Sequence, residues 1–84
     1  MSLQAVCGAG AIKPLVALVV IGTPVAQMHA CGALSVIAHQ SKEYQEQMFD
    51  FGAVLPVTGA LRTGDPGVQE QAAAAIASLS QLVS

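Results

Sequence analysis

Two histidines are the first candidates for chemistry in this chain. His29 and His39 lie ten residues apart on one predicted helix and are the only imidazoles of the sequence. Ten residues of α-helix rise by about 15 Å, which is too far for both rings to bind one metal ion. We interpret them as solvated side chains of a groove or rim, and we predict neither a metal site nor a cofactor.

The carboxylates also lack the spacing of a catalytic pair. Glu43, Glu46 and Asp50 share one face of a predicted helix, which is typical of a solvated surface. Asp65 precedes Pro66, where its side chain can cap a helix. General acid–base catalysis needs ionisable groups held together across a cleft, and nothing in this spacing requires such an arrangement.

The cysteines and glycines form no known catalytic or nucleotide-binding motif. Cys7 and Cys31 are far apart in the chain, and we expect both to be small buried hydrophobic residues. No Gly-x-Ser-x-Gly motif occurs, and Gly8-Ala9-Gly10 lacks the further glycine of a nucleotide loop. The sequence therefore predicts a protein that is not an enzyme. The alternative from a different functional class is an enzyme that uses Cys7 or the histidines.

The composition narrows the kinds of partner. Hydrophobic residues make up 54% of the 84 residues and charged residues 10%, so the chain is expected to fold as one small unit. The three fixed cations are scattered, which argues against nucleic acid as a partner. The longest apolar stretch is too short to cross a membrane, and we predict that Leu15–Ile21 is a buried helix. Two isolated cysteines suit an intracellular compartment, cytoplasmic or nuclear.

The chain repeats itself with a period of 42 residues. Residues 10–42 align without a gap on residues 52–84, with eight identities in 33 pairs. The identical residues of the first copy are Gly10, Ala11, Pro14, Gly22, Pro24, Gln27, Ala30 and Ala33. Most other pairs exchange one apolar residue for another, for example Leu34 for Ile76. A period of about 40–47 residues is typical of helical repeat proteins.

Proline, glycine and apolar spacing predict only helices. Thr23-Pro24 and Asp65-Pro66 are helix starts, and apolar residues follow each of them at helical spacing. We predict helices at about 12–21, 24–39, 42–50, 54–62 and 66–82, and a truncated one at 3–8. No segment alternates apolar and polar residues in the manner of a strand. The predicted fold class is therefore all-α.

Two longer motifs resemble the armadillo repeat. They are Gly10-Ala-Ile-Lys-Pro-Leu-Val-Ala-Leu-Val with Gly22-Thr-Pro and Ala30-Cys-Gly-Ala-Leu, and Gly52-Ala-Val-Leu-Pro with Gly64-Asp-Pro and Val68-Gln-Glu-Gln-Ala-Ala-Ala-Ala-Ile. The resemblance covers two units, residues 1–41 and 42–84, with the first helix of the first unit truncated. It implies three helices per unit, stacked into a right-handed α-solenoid whose long helices line a concave groove for peptides or partner segments.

The resemblance also implies where a partner would bind. By spacing along the long helices, the groove would expose Met28, Gly32, Val36 and His39 from the first unit and Glu70, Ala74 and Ser78 from the second. Peptide-reading members of the family carry an asparagine where this chain has Val36 and Ser78. Import adaptors add a tryptophan where it has Gly32 and Ala74. Both residue types are missing, which argues against a reader of nuclear-import signals.

We therefore expect a non-enzymatic protein-interaction or scaffold element whose groove takes a peptide or helix of a partner protein. The alternative is a purely structural segment, whose exposed residues pack only against other repeats or another copy of the chain. Residues 32–52 also resemble repeats of cytoskeletal and axonemal scaffolds. Two repeats with apolar ends are expected to belong to a longer protein or to self-associate, so the isolated chain should be oligomeric or marginally stable.

Overall fold

The computed structural model describes residues 10–80, which form five α-helices and no strand. The helices are α1 (Ile12–Ile21), α2 (Pro24–Gln40), α3 (Lys42–Asp50), α4 (Val54–Thr63) and α5 (Pro66–Ser80). The all-α prediction is confirmed, and the predicted starts of these five helices agree with the structure. The predicted helix at 3–8, Cys7 and the extension of the last helix to 82 lie outside the described residues.

Local sequence explains the helix starts. The Thr23 hydroxyl accepts a hydrogen bond from the Ala26 N–H at 3.3 Å, and Pro24 occupies the first turn of α2. Ser41 caps α3 in the same way, with its Oγ accepting from the Tyr44 N–H at 3.0 Å. Both caps satisfy a backbone donor that has no partner inside its own helix. The chain therefore turns at Gly22–Thr23 and at Ser41 without losing these hydrogen bonds.

Gly52 makes the turn between α3 and α4. Its φ of +71° lies in the left-handed region, where glycine avoids the steric cost of a Cβ atom. The turn lets the Ala53 N–H donate to the Met48 carbonyl at 2.9 Å, at the end of α3. The preceding Phe51 ring lies beneath the Lys13 ammonium group, with 5.3 Å between Nζ and the ring centroid. This contact joins the turn to α1.

The long helices α2 and α5 form the main packing contact of the fold. The short helices α1 and α4 pack on α2 and α5 respectively, and they also contact each other. Alanine and cysteine make up seven of the fifteen buried apolar residues, and these small side chains allow the helices to approach closely. The buried apolar residues are Ile12, Val19, Ala30, Cys31, Leu34, Ile37, Ala38, Met48, Ala53, Val57, Ala60, Val68, Ala72, Ala75 and Leu79.

Two glutamine side chains connect the ends of adjacent helices. The Gln45 amide of α3 is buried and donates to the Ala38 carbonyl at 2.7 Å, in the last turn of α2. The Gln27 amide of α2 donates to the Val19 carbonyl at 2.9 Å, in the last turn of α1. Carbonyl groups in the last turn of a helix receive no hydrogen bond from an N–H group of that helix. The two amides therefore satisfy these carbonyls and fix the angles between consecutive helices.

The prediction that Leu15–Ile21 is a buried helix is right about the helix and wrong about the burial. Val19 is buried, but the side chains of Val20 and Ile21 are 60% and 80% exposed. α1 packs on α2 and α4, and within its last turn Val19 is covered whereas Val20 and Ile21 are exposed. An apolar sequence therefore leaves an exposed apolar surface at this end of α1.

Candidate partner-binding groove

A shallow groove follows the seam between α2 and α5. Its larger part has a volume of about 330 Å³ and is lined by Met28, His29, Gly32, Ala33, Val36 and Gln71. A smaller hollow of about 110 Å³ adjoins it and is lined by Pro24, Val25, Met28, Asp65, Gly67 and Val68. Met28 lines both hollows, and we call the two together the seam groove.

Two glycines allow the helices to come close enough to form the seam groove. A Cβ atom on Gly32 would lie 3.1 Å from Oε1 of Gln71, and a Cβ on Gly67 would lie 3.0 Å from Sδ of Met28. Both distances are shorter than ordinary van der Waals contact. Met28 of α2 therefore lies over a glycine of α5, and Gln71 of α5 lies over a glycine of α2.

The residues of the predicted groove lie in different surroundings. Met28, Gly32 and Val36 line the seam groove, and Val36 is 59% exposed. His39 is exposed near the end of α2, and Glu70 and Ala74 are exposed on α5. These last three are absent from the groove lining. The groove runs between the long helices instead of along the predicted stripe of each helix.

Ser78 is the predicted groove residue that the structure contradicts. Its side chain is only 8% exposed, and its Oγ lies 3.5 Å from Oγ of Ser35 on α2. The residue belongs to the packing between α2 and α5, so it cannot contact a partner in this groove. Spacing along α5 placed it in line with Ala74, but α2 covers this part of the helix.

Ala33 and Gln71 line the seam groove although the sequence did not assign them to it, and His29, which was interpreted as a groove or rim side chain, lines it as well. His29 and Gln71 occupy equivalent positions of the 42-residue alignment. Both are polar side chains of similar size, and each directly follows a predicted groove residue. This shared position in the two copies was the sequence signal that could have assigned them to the groove. Gln71 and Gly32 are 39 positions apart, so they are not equivalent in the 42-residue repeat. The packing of α5 on α2 brings them together, and the repeat alone does not predict this contact.

The lining of the larger hollow is mostly apolar and includes two polar side chains. The larger hollow contains no fixed charge, and the Gln71 amide and the His29 imidazole supply its side-chain hydrogen-bonding groups. Asp65 contributes the one carboxylate of the smaller hollow. Such a lining can bury apolar side chains of a ligand and can form hydrogen bonds with its polar groups. It offers no cluster of charges for a strongly ionic ligand.

One cysteine and no metal-binding cluster of side chains lie between residues 10 and 80. This part of the chain contains no group of three or more histidine, cysteine, aspartate or glutamate side chains that could hold a metal ion. Cys31 is fully buried in the core, and burial raises the pKa of its thiol. A thiolate is the nucleophilic form of cysteine, so this environment disfavours reactivity.

The environment of Cys31 leads to a prediction about reactivity and pH. In a Cys7→Ser variant, we expect a thiol reagent to label Cys31 at least 100-fold more slowly in the native protein than in urea. Because burial raises its pKa, unfolded Cys31 loses its proton first, and stability should decrease as the pH rises above about 8.5. Urea titrations from pH 7 to 10, with Cys31→Ala as control, measure this decrease. Rapid native labelling would contradict the buried environment.

None of the five described helices is long and apolar enough to cross a membrane. A scan against models of protein families finds none that matches the chain, and searches of curated proteins and of solved structures also find no match.

Proposed function

We propose that this chain is a non-enzymatic protein-interaction element of the armadillo type, and that its seam groove binds a peptide or helix of a partner protein. The observation that carries the proposal is the mostly apolar hollow of about 330 Å³ between the two long helices. Protein sites that bind partner segments combine apolar surface with a few polar groups. Met28 and Val36 supply the first, and Gln71 and His29 supply the second.

The proposed architecture is a right-handed α-solenoid of two units, residues 1–41 and 42–84. The 42-residue repeat and the armadillo-like motifs support this architecture. The helix contacts support it as well, because α2 packs on α5 and α1 packs on α4, so that equivalent helices of the two copies lie side by side. Stacked repeats of a solenoid make contacts of this kind between neighbours. An intracellular location, cytoplasmic or nuclear, belongs to the same proposal.

A peptide-display selection followed by binding titrations would test the groove. Val36→Arg places a charged side chain in the apolar lining, and we expect it to weaken binding of a selected peptide at least tenfold. Leu55→Arg is the matched control, because Leu55 is 83% exposed on α4 and lines neither hollow. We expect the control to bind as the wild type does. Equal binding by wild type and Val36→Arg would disprove the groove as the binding site.

The second candidate function is a purely structural segment that associates with itself and has no separate ligand, as in a cytoskeletal scaffold. Apolar side chains that are exposed outside the groove favour it, among them Leu18 and Val20. Light scattering across a hundredfold range of concentration separates the two candidates when it is combined with the peptide selection. Assembly without any groove-dependent peptide would favour the structural function.

A further inference from the structure

Equivalent positions of the two copies differ in burial, and the differences follow a pattern. On one side, residues of the first copy are more exposed than their equivalents 42 positions later. Leu18 is 41% exposed where Ala60 is buried, and Val36 is exposed where Ser78 is buried. We call this surface the leading face, and it comprises Leu15, Leu18, Val25, His29, Ala33 and Val36.

The opposite side shows the reverse difference. There, residues of the second copy are more exposed than their equivalents in the first. Ala73 is exposed where Cys31 is fully buried, and Ile76 is half-buried where Leu34 is sealed in the core. We call this surface the trailing face, and it comprises Val54, Leu61, Glu70, Ala73, Ala74 and Ile76.

The contact between the two copies explains both patterns. Met28 and Gly32 of α2 lie against Gly67 and Gln71 of α5. By the 42-residue alignment, the two α2 residues are equivalent to trailing-face residues, and the two α5 residues are equivalent to leading-face residues. The interface inside the molecule is therefore formed by the trailing side of one copy and the leading side of the next. The free leading and trailing faces are the two halves of a second such interface.

The residues on the free faces are compatible with the same contact. The leading face carries no fixed charge, and the trailing face carries one, Glu70. If the internal contact is repeated, Glu70 takes the place of Met28 and His29 takes the place of Gln71, and these two equivalents line one hollow inside the molecule. The carboxylate of one copy would therefore lie near the imidazole of the next, where the two groups can form a hydrogen bond.

We propose that the chain associates head to tail with a second copy of itself, with the trailing face of one molecule packed on the leading face of the next. Such a contact is heterologous, since it joins two different surfaces, and it leaves one free face of each kind at the ends. Further copies can therefore add, and the assembly extends as a filament or closes as a ring. His29, Ala33 and Val36 of the leading face also line the seam groove, so a second copy and a peptide ligand compete for these residues.

Sedimentation velocity on the full chain tests the proposal. For the wild type, we expect the average mass to exceed twice 8.5 kDa at high concentration and to continue rising. Leu18→Arg disables the leading face and Ala73→Arg disables the trailing face, so each variant alone should remain a monomer. Leu55→Arg is the control for the first variant, because Leu55 and its equivalent Lys13 are both exposed. It should assemble like the wild type.

An equimolar mixture of Leu18→Arg and Ala73→Arg gives the decisive result. The first variant retains an intact trailing face and the second an intact leading face, so the mixture should form a dimer that does not grow. A mixture that stays monomeric while the wild type assembles would overturn the head-to-tail contact. A wild type that stays monomeric at every concentration would overturn self-association and leave the two faces for a different protein.

Circular dichroism of each variant shows whether it remains folded. If either arginine variant unfolds, Leu18→Gln and Glu70→Lys replace them, because both positions are exposed and neither lines the seam groove. Leu18 and Ala73 line neither part of the seam groove. Leu18→Arg should therefore no longer assemble but should still bind the selected peptide, whereas Val36→Arg changes a residue shared by the groove and the leading face and should lose both. Peptide binding by Leu18→Arg thus distinguishes a failure of head-to-tail assembly from a failure of peptide binding.

Discussion

Replacing Leu34 by alanine is expected to lower the free energy of unfolding by about 3 kcal/mol, within the range observed when a buried leucine loses its side chain. Leu34 is 1% exposed and is among the largest fully buried side chains of α2. A chain of this length has a stability of only about 4–13 kcal/mol on the usual scale per residue. The substitution should therefore shift the midpoint of a urea titration strongly.

Ile76→Ala is the matched control, because Ile76 occupies the position of Leu34 in the second copy. Ile76 is only half-buried, since it lies on the trailing face. We expect its loss to cost about 1 kcal/mol, in proportion to the smaller apolar area that it buries. The titrations should be run at low concentration, where the chain is least associated. Equal costs at the two positions would contradict the difference in burial.

The same pair also reports on association. If molecules pack head to tail, the second copy's Ile76 becomes covered as the protein concentration rises. The cost of Ile76→Ala should then increase with concentration, while the cost of Leu34→Ala should change less. Association stabilises the folded form by mass action, so this dependence can be measured in ordinary unfolding titrations.

The helices were predictable from the sequence because local chemistry determines where they begin. Thr23-Pro24 and Asp65-Pro66 mark the starts of α2 and α5, and Gly52 marks the turn before α4. Thr23 acts through a nearby N–H group, and Pro24, Pro66 and Gly52 act through their own backbone angles. Such effects need no knowledge of the tertiary structure. This is why the five predicted helices start where the structure places them.

Burial was less predictable, because it depends on which neighbour covers a residue. Val36 and Ser78 occupy the same repeat position, yet Val36 is exposed and Ser78 is packed against Ser35. Helical spacing identifies the faces of a single helix, but it does not show where another helix lies on them. The same limitation explains Ile21, which is apolar and nevertheless exposed at the end of α1.

Part of the seam groove could be predicted because that part lies on a single helix. Met28, Gly32 and Val36 follow the spacing of one helix, so the sequence identified them together. Gln71 joins them only through the offset between α2 and α5, which places it against Gly32 at a separation of 39 residues. Ser35 and Ser78 are neighbours at a separation of 43. Residues across the seam therefore do not follow the repeat period, and the period alone cannot identify them.

Ser78→Arg is expected to destabilise the protein by about 3 kcal/mol or more. The side chain is nearly buried between α5 and α2, with Ser35 beside it. An arginine there must either lose its solvation without a carboxylate partner or push the two long helices apart, and each effect costs a few kcal/mol. We expect a large fall in the urea midpoint and in the thermal midpoint, at every protein concentration.

Ala74→Arg provides the comparison that separates packing from groove binding. Ala74 lies one turn before Ser78 on α5, but its side chain is exposed. The same added charge should therefore change stability by less than about 0.5 kcal/mol, as is usual for surface substitutions. The sequence alone assigned both residues to one exposed stripe, which predicts two equally mild substitutions. A mild effect of Ser78→Arg would therefore support the stripe and contradict the packing of α5 on α2 at this position.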